Sequence, residues 1–421
     1  MTIKFVLLLM IFVNILGKSV TNRIYPGNNA CTNFINYFDA NIDKNCFYNP
    51  DMFLESPDLI EKYVGKYESH KVTTADGYIL TMFRIPRENP KGVILLQHPV
   101  TVDSRIFVSR GNSSLGFLLW RAGYDVWLSN QRGTLFSEDH TNSSISYLDY
   151  WDFGFHEIGV FDIASQIELI KNKTNNSKII FIGHSMGSNS GLIYAALKNR
   201  DAEASVKIFI LMALPCYFEH NSNALVQFGR FILFLPFVQN LLRNIKLGSA
   251  LPILPFLVPF SRILLRIFPF LLIFINYMFS FTCGWTPKEL DPTLLNFDSA
   301  IYVKNYSWKI FVHYLQLVQA KTRYQMFDYG KRKNLKIYHS EVPPLYPIEN
   351  VTVPVYLVSS ANDSIISLKD ADLLFSRLPN STKVYGKLYV TGLNHVDYHM
   401  GKHAYTILYE KLLHFIDNLP H

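Results

Sequence analysis

The residues best suited to chemistry lie in Gly183-His184-Ser185-Met186-Gly187, a G-x-S-x-G pentapeptide. Alone, the pattern describes any glycine-containing turn. Its surroundings make it specific: the apolar run Lys178 to Ile182 leads into it, and Ser188-Asn189-Ser190-Gly191-Leu192 is able to open a helix after it. A sharp strand–turn–helix presents the serine hydroxyl above a sheet edge, and glycines at 183 and 187 let strand and helix approach. A serine hydroxyl is a weak nucleophile unless an adjacent base takes its proton.

Where such a turn carries a nucleophile, the chain order is serine, acid, histidine. The apolar run Val355 to Val358 passes through Ser359-Ser360-Ala361-Asn362 to Asp363, just beyond a strand end. The run Lys387 to Val390 passes through Thr391-Gly392-Leu393-Asn394 to His395, a loop position from which an imidazole reaches back to the serine. We therefore expect Ser185 as nucleophile, His395 as base, and Asp363 as the group that fixes the imidazole tautomer and stabilises the imidazolium. Asp370 and Asp372 are alternatives, but they fall where the next helix should run. Acyl transfer also needs backbone donors for the oxyanion. The N–H of Met186 is one. The N–H of Val100, in the loop after Val93 to Gln97, is the second, since Pro99 has no N–H to give. His395, His399 and His403 are spaced by four and would share one face of a helix, so a metal site is the competing reading. No acid of the H-E-x-x-H type accompanies them, and neither a metal nor a cofactor is expected.

Holding these residues requires strands that end at one edge. Val93 to Leu96, Asp125 to Leu128, Lys178 to Ile182, Ile208 to Met212, Val355 to Val358 and Lys387 to Val390 read as buried strands. Ile163, Ile167 and Ile170, at i, i+4 and i+7, mark a helix face between them. Strands alternating with helices predict a mostly parallel sheet covered on both faces. With the nucleophile turn, the fold class is α/β, an α/β-hydrolase fold. Residues 225–282 break the alternation. They are dense in Phe, Leu and Ile, cut by prolines at 236, 252, 255, 259 and 269, and carry Arg230, Arg243, Lys246, Arg262 and Arg266 with no acidic residue. This predicts an inserted, mostly helical apolar cap over Ser185. The uncharged stretch Ile267 to Pro287 is long enough to span a bilayer, which is the competing reading, but Pro269, Asn276 and Gly284 interrupt it. The expected division is a signal peptide at 1–19, a loose N-terminal leader at 20–55, hydrolase core at 56–216, cap at 217–290, and the rest of the core at 291–421.

The 421 residues suit one large domain with an insert. A net charge of +7 with scattered Lys and Arg excludes a nucleic-acid groove, which needs clustered basic residues. Lys4 and the apolar Phe5 to Leu16, followed by Gly17 and Ser19, read as a signal peptide, with a signal anchor as the alternative. Asn-x-Ser/Thr sequons at Asn112, Asn142, Asn172, Asn175, Asn305, Asn350, Asn362 and Asn380 fit the secretory route. Asn362, next to Asp363, is expected to stay unglycosylated. Cys31 and Cys46 are close enough to bridge; Cys216 and Cys283 either pair across the base of the cap or are free thiols.

From about Pro57 to Ile416 the chain resembles the acid lipase family of gastric and lysosomal lipases. The likeness rests on Thr74-Ala75-Asp76-Gly77-Tyr78-Ile79-Leu80, Leu95-Leu96-Gln97-His98, Val126-Trp127-Leu128-Ser129-Asn130-Gln131-Arg132-Gly133 and Phe161-Asp162-Ile163. It continues through Gly183 to Gly187, Cys283-Gly284-Trp285, Phe327-Asp328-Tyr329-Gly330, Asn362-Asp363 and Asn394-His395-Val396-Asp397, in family order. The resemblance implies hydrolysis of triacylglycerols or sterol esters at a lipid–water interface, with Ser185, Asp363 and His395 in the roles given above. Pro99 stands where the family usually has Gly, Met186 where it has Gln, and the cap lacks a second lid cysteine. An esterase for short soluble esters and a catalytically impaired lipid-binding relative are the rival readings. A monomer in the secretory pathway, extracellular or lysosomal, with peripheral lipid contact through the cap, is expected.

Overall fold

The computed structural model describes residues 27–174, 178–233, 235–245, 247–250, 264–265, 267–295 and 304–420. The signal peptide read at 1–19, the sequon at Asn175, and the cap residues Lys246, Arg262, Arg266, Pro252, Pro255 and Pro259 lie outside the described residues. Among those described, nine strands form one sheet: β1 (Glu68–Thr73), β2 (Tyr78–Ile85), β3 (Val93–Gln97), β4 (Asp125–Leu128), β5 (Asp139–His140), β6 (Ile179–His184), β7 (Val206–Met212), β8 (Val355–Ser360) and β9 (Lys387–Val390). Their order is β9-β8-β7-β6-β3-β4-β2-β1, with β5 beside β2. The six strands from β9 to β4 are parallel, while β2 pairs antiparallel with β4, β1 and β5. Every residue of β3, β4, β6 and β8 is buried, as continuous apolar runs covered on both faces must be.

Three strands escaped the sequence reading: β1, β2 and the two-residue β5. β1 alternates half-buried and exposed residues and carries almost no apolar signal. Its partner β2 follows a turn closed by Thr74, whose Oγ1 donates to Asp76 Oδ1 at 2.7 Å and accepts from the Tyr78 N–H at 2.9 Å. The helix expected around Ile163 is α1 (Ile163–Thr174), and it buries Ile163, Ile167 and Ile170.

The leader is not loose in its described part, and that expectation is corrected. Ala30–Cys31 pairs antiparallel with Cys46–Phe47, and Cys31 and Cys46 form a disulfide. Between them a 3-10 turn, Ile35–Asp39, buries Tyr37, whose hydroxyl donates to the Pro292 carbonyl at 2.5 Å. A short cross-linked loop leaves no periodic signature, so its order was invisible to pattern reading. Cys216 and Cys283 are free thiols.

After β6 comes α2 (Met186–Leu197), and after β7 the cap begins. Its described helices are α3 (Ala224–Leu233), α4 (Pro236–Asn244) and α5 (Leu271–Cys283). The helix α6 (Trp308–Ala320) packs on α3, with Arg230 Nε donating to the Val318 carbonyl at 3.3 Å. The helical layer therefore continues past residue 290. No helix among the described residues is long and apolar enough to cross a membrane, and 267–287 holds the 13-residue α5.

Candidate active site

In the sheet order, β3 lies between β4 and β6, so successive connections leave in opposite directions there and open a crevice beyond the strands' carboxyl ends. The chain reverses at Ser185, directly after β6. Ser185 adopts φ +53° and ψ −116°, a conformation that costs a side-chain-bearing residue energy and must be held by its neighbours. They hold it in several ways. The Ser185 N–H donates to the Met212 carbonyl at 2.9 Å, and the Ser188 hydroxyl donates to the same oxygen at 2.8 Å. A Cβ on Gly187 would sit 2.3 Å from the Gln97 carbonyl oxygen, so only glycine lets the end of β3 lie against the turn.

The structure brings Ser185, His395 and Asp363 together from three strand ends. Ser185 Oγ is 2.9 Å from His395 Nε2, and Asp363 Oδ2 is 2.8 Å from His395 Nδ1. Asp363 is held by the backbone N–H groups of Ile365 and Ile366, which donate to its Oδ1 at 2.9 and 3.0 Å. Ser185 and Asp363 are buried, and His395 is half-buried. Asp370 lies elsewhere, in the first turn of α7 (Leu368–Arg377), where it accepts from the Ser367 hydroxyl at 2.7 Å and the His220 N–H at 3.1 Å.

The loop after β3 is fixed from beneath. The Gln131 N–H donates to His98 Nε2 at 3.1 Å, which leaves His98 Nδ1–H to donate to the Pro99 carbonyl at 2.7 Å. Gln131 Nε2 returns to the His98 carbonyl at 2.7 Å. Burial pushes the His98 pKa down to about 4, so this loop does not titrate near neutrality. Val100 follows in the turn, and Met186 is the first residue of α2, where an N–H has no partner within the helix. Next to Gln131, Arg132 forms ion pairs with Asp76 at 2.6 Å and Asp162 at 2.6 Å. Three motif segments distant in sequence thus meet at one buried guanidinium.

His395, His399 and His403 do not share a helix face, because the helix holding His399 is only Asp397–Met400. His399 packs edge-on against Phe107 and His184, and burial pushes its pKa down to about 3. His184, under the His395 ring at 5.2 Å, is pushed well below its usual value by the same cause. Both stay uncharged, so neither opposes a positive charge forming on His395. His403 instead meets Glu289 at 3.0 Å. Among the described residues, no three His, Cys, Asp or Glu side chains are grouped to hold a metal ion.

The sequence reading assigned no role to Cys283-Gly284-Trp285 or Asp397, and the structure supplies one. The Cys283 carbonyl accepts from the N–H of both Ser364 and His395 at 3.1 Å. Gly284, at φ +128°, lies so flat on the acid loop that a Cβ would be 1.9 Å from the Asn362 carbonyl oxygen. Asn394 Nδ2 donates to the Gly284 carbonyl at 3.0 Å. Asp397 Oδ2 accepts from Thr286 Oγ1 at 2.5 Å and from the Asn394 N–H at 2.8 Å. The strand-like strap leaving α5 therefore ties the acid loop to the histidine loop. The signal available in sequence was polar residues, Asn394, Asp397 and Thr286, amid apolar neighbours.

Burial pushes the Asp397 pKa up to about 6 against the hydrogen bonds from Thr286 and the Asn394 N–H, with the like charge of Glu289 adding to the rise and Arg110 opposing it. A carboxyl whose folded pKa exceeds its unfolded one stabilises the fold below the unfolded value, near 4, and loses that contribution as pH rises through about 6. The swing is on the order of 3 kcal/mol. In Asp397→Asn, an amide oxygen can still accept both donors but nothing titrates. The variant's Tm should therefore fall less steeply than wild type between these pH values. Parallel curves would show that Asp397 is not the titrating group.

Two family descriptions match the chain: a partial alpha/beta-hydrolase lipase region over residues 56–111 and the alpha/beta hydrolase fold over 108–237. The lysosomal acid lipase/cholesteryl ester hydrolase of Rattus norvegicus is 32% identical, over 82% of this chain and 87% of its own. The chain belongs to the acid lipase family. Other members are similarly near: the gastric triacylglycerol lipase of Bos taurus is 30% identical over 83% of this chain and 88% of its own. Lipase member K of Homo sapiens is 29% identical over 87% of this chain and 91% of its own. As an acid lipase the protein is a carboxylic ester hydrolase acting on lipid esters.

Proposed function

We propose that this lipase hydrolyses triacylglycerols or sterol esters through an acyl-enzyme on Ser185. The observation that carries the assignment is the hydrogen-bonded line Ser185–His395–Asp363, with its 2.9 and 2.8 Å separations. Ser185 Oγ attacks the ester carbonyl carbon while its proton passes to His395 Nε2. The N–H groups of Met186 and Val100 receive the oxyanion. Collapse breaks the bond to the alcohol oxygen, which takes the proton from His395. Water, deprotonated by the same imidazole, then attacks the acyl carbon; the bond to Ser185 Oγ breaks, Oγ takes the proton back from His395, and the fatty acid leaves. The names of the rat and bovine relatives support neutral-lipid esters as the substrate class. A fluorophosphonate should label Ser185. Failure to label it would leave only a lipid-binding role.

The cap is the proposed lipid-facing element. Along α5, exposed apolar residues recur at Phe270, Phe274, Met278 and Phe281, and they fall on one face. The opposite, buried face carries Asn276 and Ser280, so the helix turns its apolar side to solvent. Phe274→Ser with Phe281→Ser should lower hydrolysis of emulsified long-chain esters about tenfold or more, since each buries apolar area at an interface. Hydrolysis of a soluble short-chain ester should be spared. Equal loss on both would show that these residues only support the fold.

We also propose a monomer entering the secretory pathway, extracellular or lysosomal. The disulfide fits an oxidising compartment. The sequon asparagines Asn112, Asn142, Asn172, Asn350 and Asn380 are exposed, which fits glycosylation. Asn362 is exposed as well, but its Oδ1 accepts from the Gly392 N–H at 2.7 Å, which fixes the side chain beside Asp363, where a glycan on its Nδ2 would crowd the acid and histidine loops.

A further inference from the structure

The disulfide-tied segment of residues 27–54 precedes both family matches, which begin at residue 56. It packs on α5 through a small apolar cluster of its own, in which Cys31, Tyr37, Ala40 and Cys46 meet Leu265, Leu272 and Leu295. That contact accounts for its buried side. Its outer side is apolar as well. Ile35 is 80% exposed, Phe38 64% and Ile42 85%, values unusual for side chains of this size clustered on one short loop. Ile35 and Phe38 are three apart on a 3-10 turn and so project together.

These residues continue the exposed face of α5. The Phe38 ring stacks on Phe270, the first residue of that face, at 5.5 Å with the two ring planes nearly parallel. Phe34 approaches Tyr277 at 6.1 Å, and Tyr277 approaches Trp285 at 5.7 Å. The apolar surface therefore runs from the knob along α5 to the strap beside His395. Charge selects the kind of surface it meets. The knob's outward charges are Asp39, Asp43 and Lys44, and hydrogen bonds from Asn45 and Asn36 hold the Asp43 carboxyl below its ordinary pKa. A face with two acids and one base gains nothing from an anionic membrane.

We propose that the knob is a second lipid-docking element, set beside the cap, that inserts Ile35, Phe38 and Ile42 into a zwitterionic phospholipid surface such as the coat of a neutral-lipid droplet. The disulfide and the Tyr37–Pro292 tie hold it in line with α5, so that docking orients the strap and the site behind it toward the lipid. The proposal rests on the lipase reading for its purpose but not for its test.

The test measures partition of the full chain onto phosphatidylcholine vesicles by flotation, in a Ser185→Ala background so that turnover plays no part. Ile35→Ser, Phe38→Ser and Ile42→Ser combined should weaken partition at least about tenfold, through lost burial of apolar side chains. Leu335→Ser with Ile337→Ser, which removes exposed apolar residues of the helix Lys331–Tyr338, should leave it within about twofold, since that helix is no part of the apolar face. Adding phosphatidylserine or raising the salt should change partition little. With Ser185 intact, the triple variant should hydrolyse a soluble short-chain ester as wild type does, which shows the fold is retained. Wild-type partition by the triple variant, absence of partition by the parent, an equal loss in the Leu335/Ile337 variant, or dependence on anionic lipid would each overturn the proposal. Loss of soluble-ester hydrolysis in the wild-type chain would instead overturn the lipase reading and leave the partition result standing.

Discussion

Replacing Ser185 with alanine should lower kcat/KM on both emulsified and soluble esters by at least about ten-thousandfold, because no other group can form the acyl bond. The residue is buried at the end of β6, and its backbone is held by Met212 and by the close contact of Gly187 with Gln97. None of those contacts uses the hydroxyl. The hydroxyl meets His395 Nε2, so its removal should leave Tm within a few degrees of wild type. Turnover near wild type would mean that another residue is the nucleophile. A collapse of Tm would make the lost activity uninformative, and Ser185→Cys would then serve as a volume-conserving check.

The second large effect concerns the two side chains behind the serine. His395→Ala removes the base, and Asp363→Asn removes the carboxylate that accepts from His395 Nδ1 at 2.8 Å. An amide there can present its N–H₂ to the ring and favour the wrong tautomer, a defect that costs on the order of ten-thousandfold in kcat. Asp370→Asn is the contrasting variant. Its carboxylate accepts from Ser367 and from the His220 N–H, which ties the start of the cap to α7. It should lose about 1 kcal/mol of stability and little activity. If Asp370→Asn were the damaging change in kcat and Asp363→Asn were mild, the acid would be misassigned. The contrast separates a residue that acts on the imidazole from one that holds the cap's root.

The anchoring of the cap root bears on how the site is covered. Asn223 Nδ2 donates to the Thr282 carbonyl at 2.7 Å and to Ser364 Oγ at 2.8 Å. Asn221 Nδ2 reaches the carbonyls of Ser364 and Ile365. Both ends of the cap thus grip the loop that carries Asp363. Movement of α5 at an interface would be felt at the strap, and through the Cys283 carbonyl at the His395 backbone. At the centre of that coupling stands Gly284, where a Cβ would meet the Asn362 carbonyl oxygen at 1.9 Å, so a side chain there would push the strap off the acid loop.

Much of this was readable from local pattern. The strands β3, β4, β6, β7 and β8 are short apolar runs, and burial on both faces is what such runs need, so their existence followed from composition alone; the edge strand β9 buries only Val390 and was legible from its short apolar run. The positions of Ser185, Asp363 and His395 at strand ends followed with them, because residues just past a strand's carboxyl end lie at the crevice of a parallel sheet. What local pattern could not carry was everything set by contacts between distant segments. The knob has order through a cross-link and a borrowed patch of α5, neither of which leaves a period in the sequence. Whether His399 joined His395 depended on the helix stopping at Met400, after which it packs on Phe107 and His184 from elsewhere in the chain. The outward face of α5 was ambiguous because the helix is apolar nearly all round; only hydrogen bonds from Asn276 to the Leu272 and Leu295 carbonyls decide that its polar side turns inward. The sequence by itself determined which residues could do the chemistry and the strand ends that carry them, since both depend on neighbours in the chain. The tertiary structure decided what grips those ends and which apolar surface is left for lipid, since both depend on which distant groups satisfy one another's hydrogen bonds and burial.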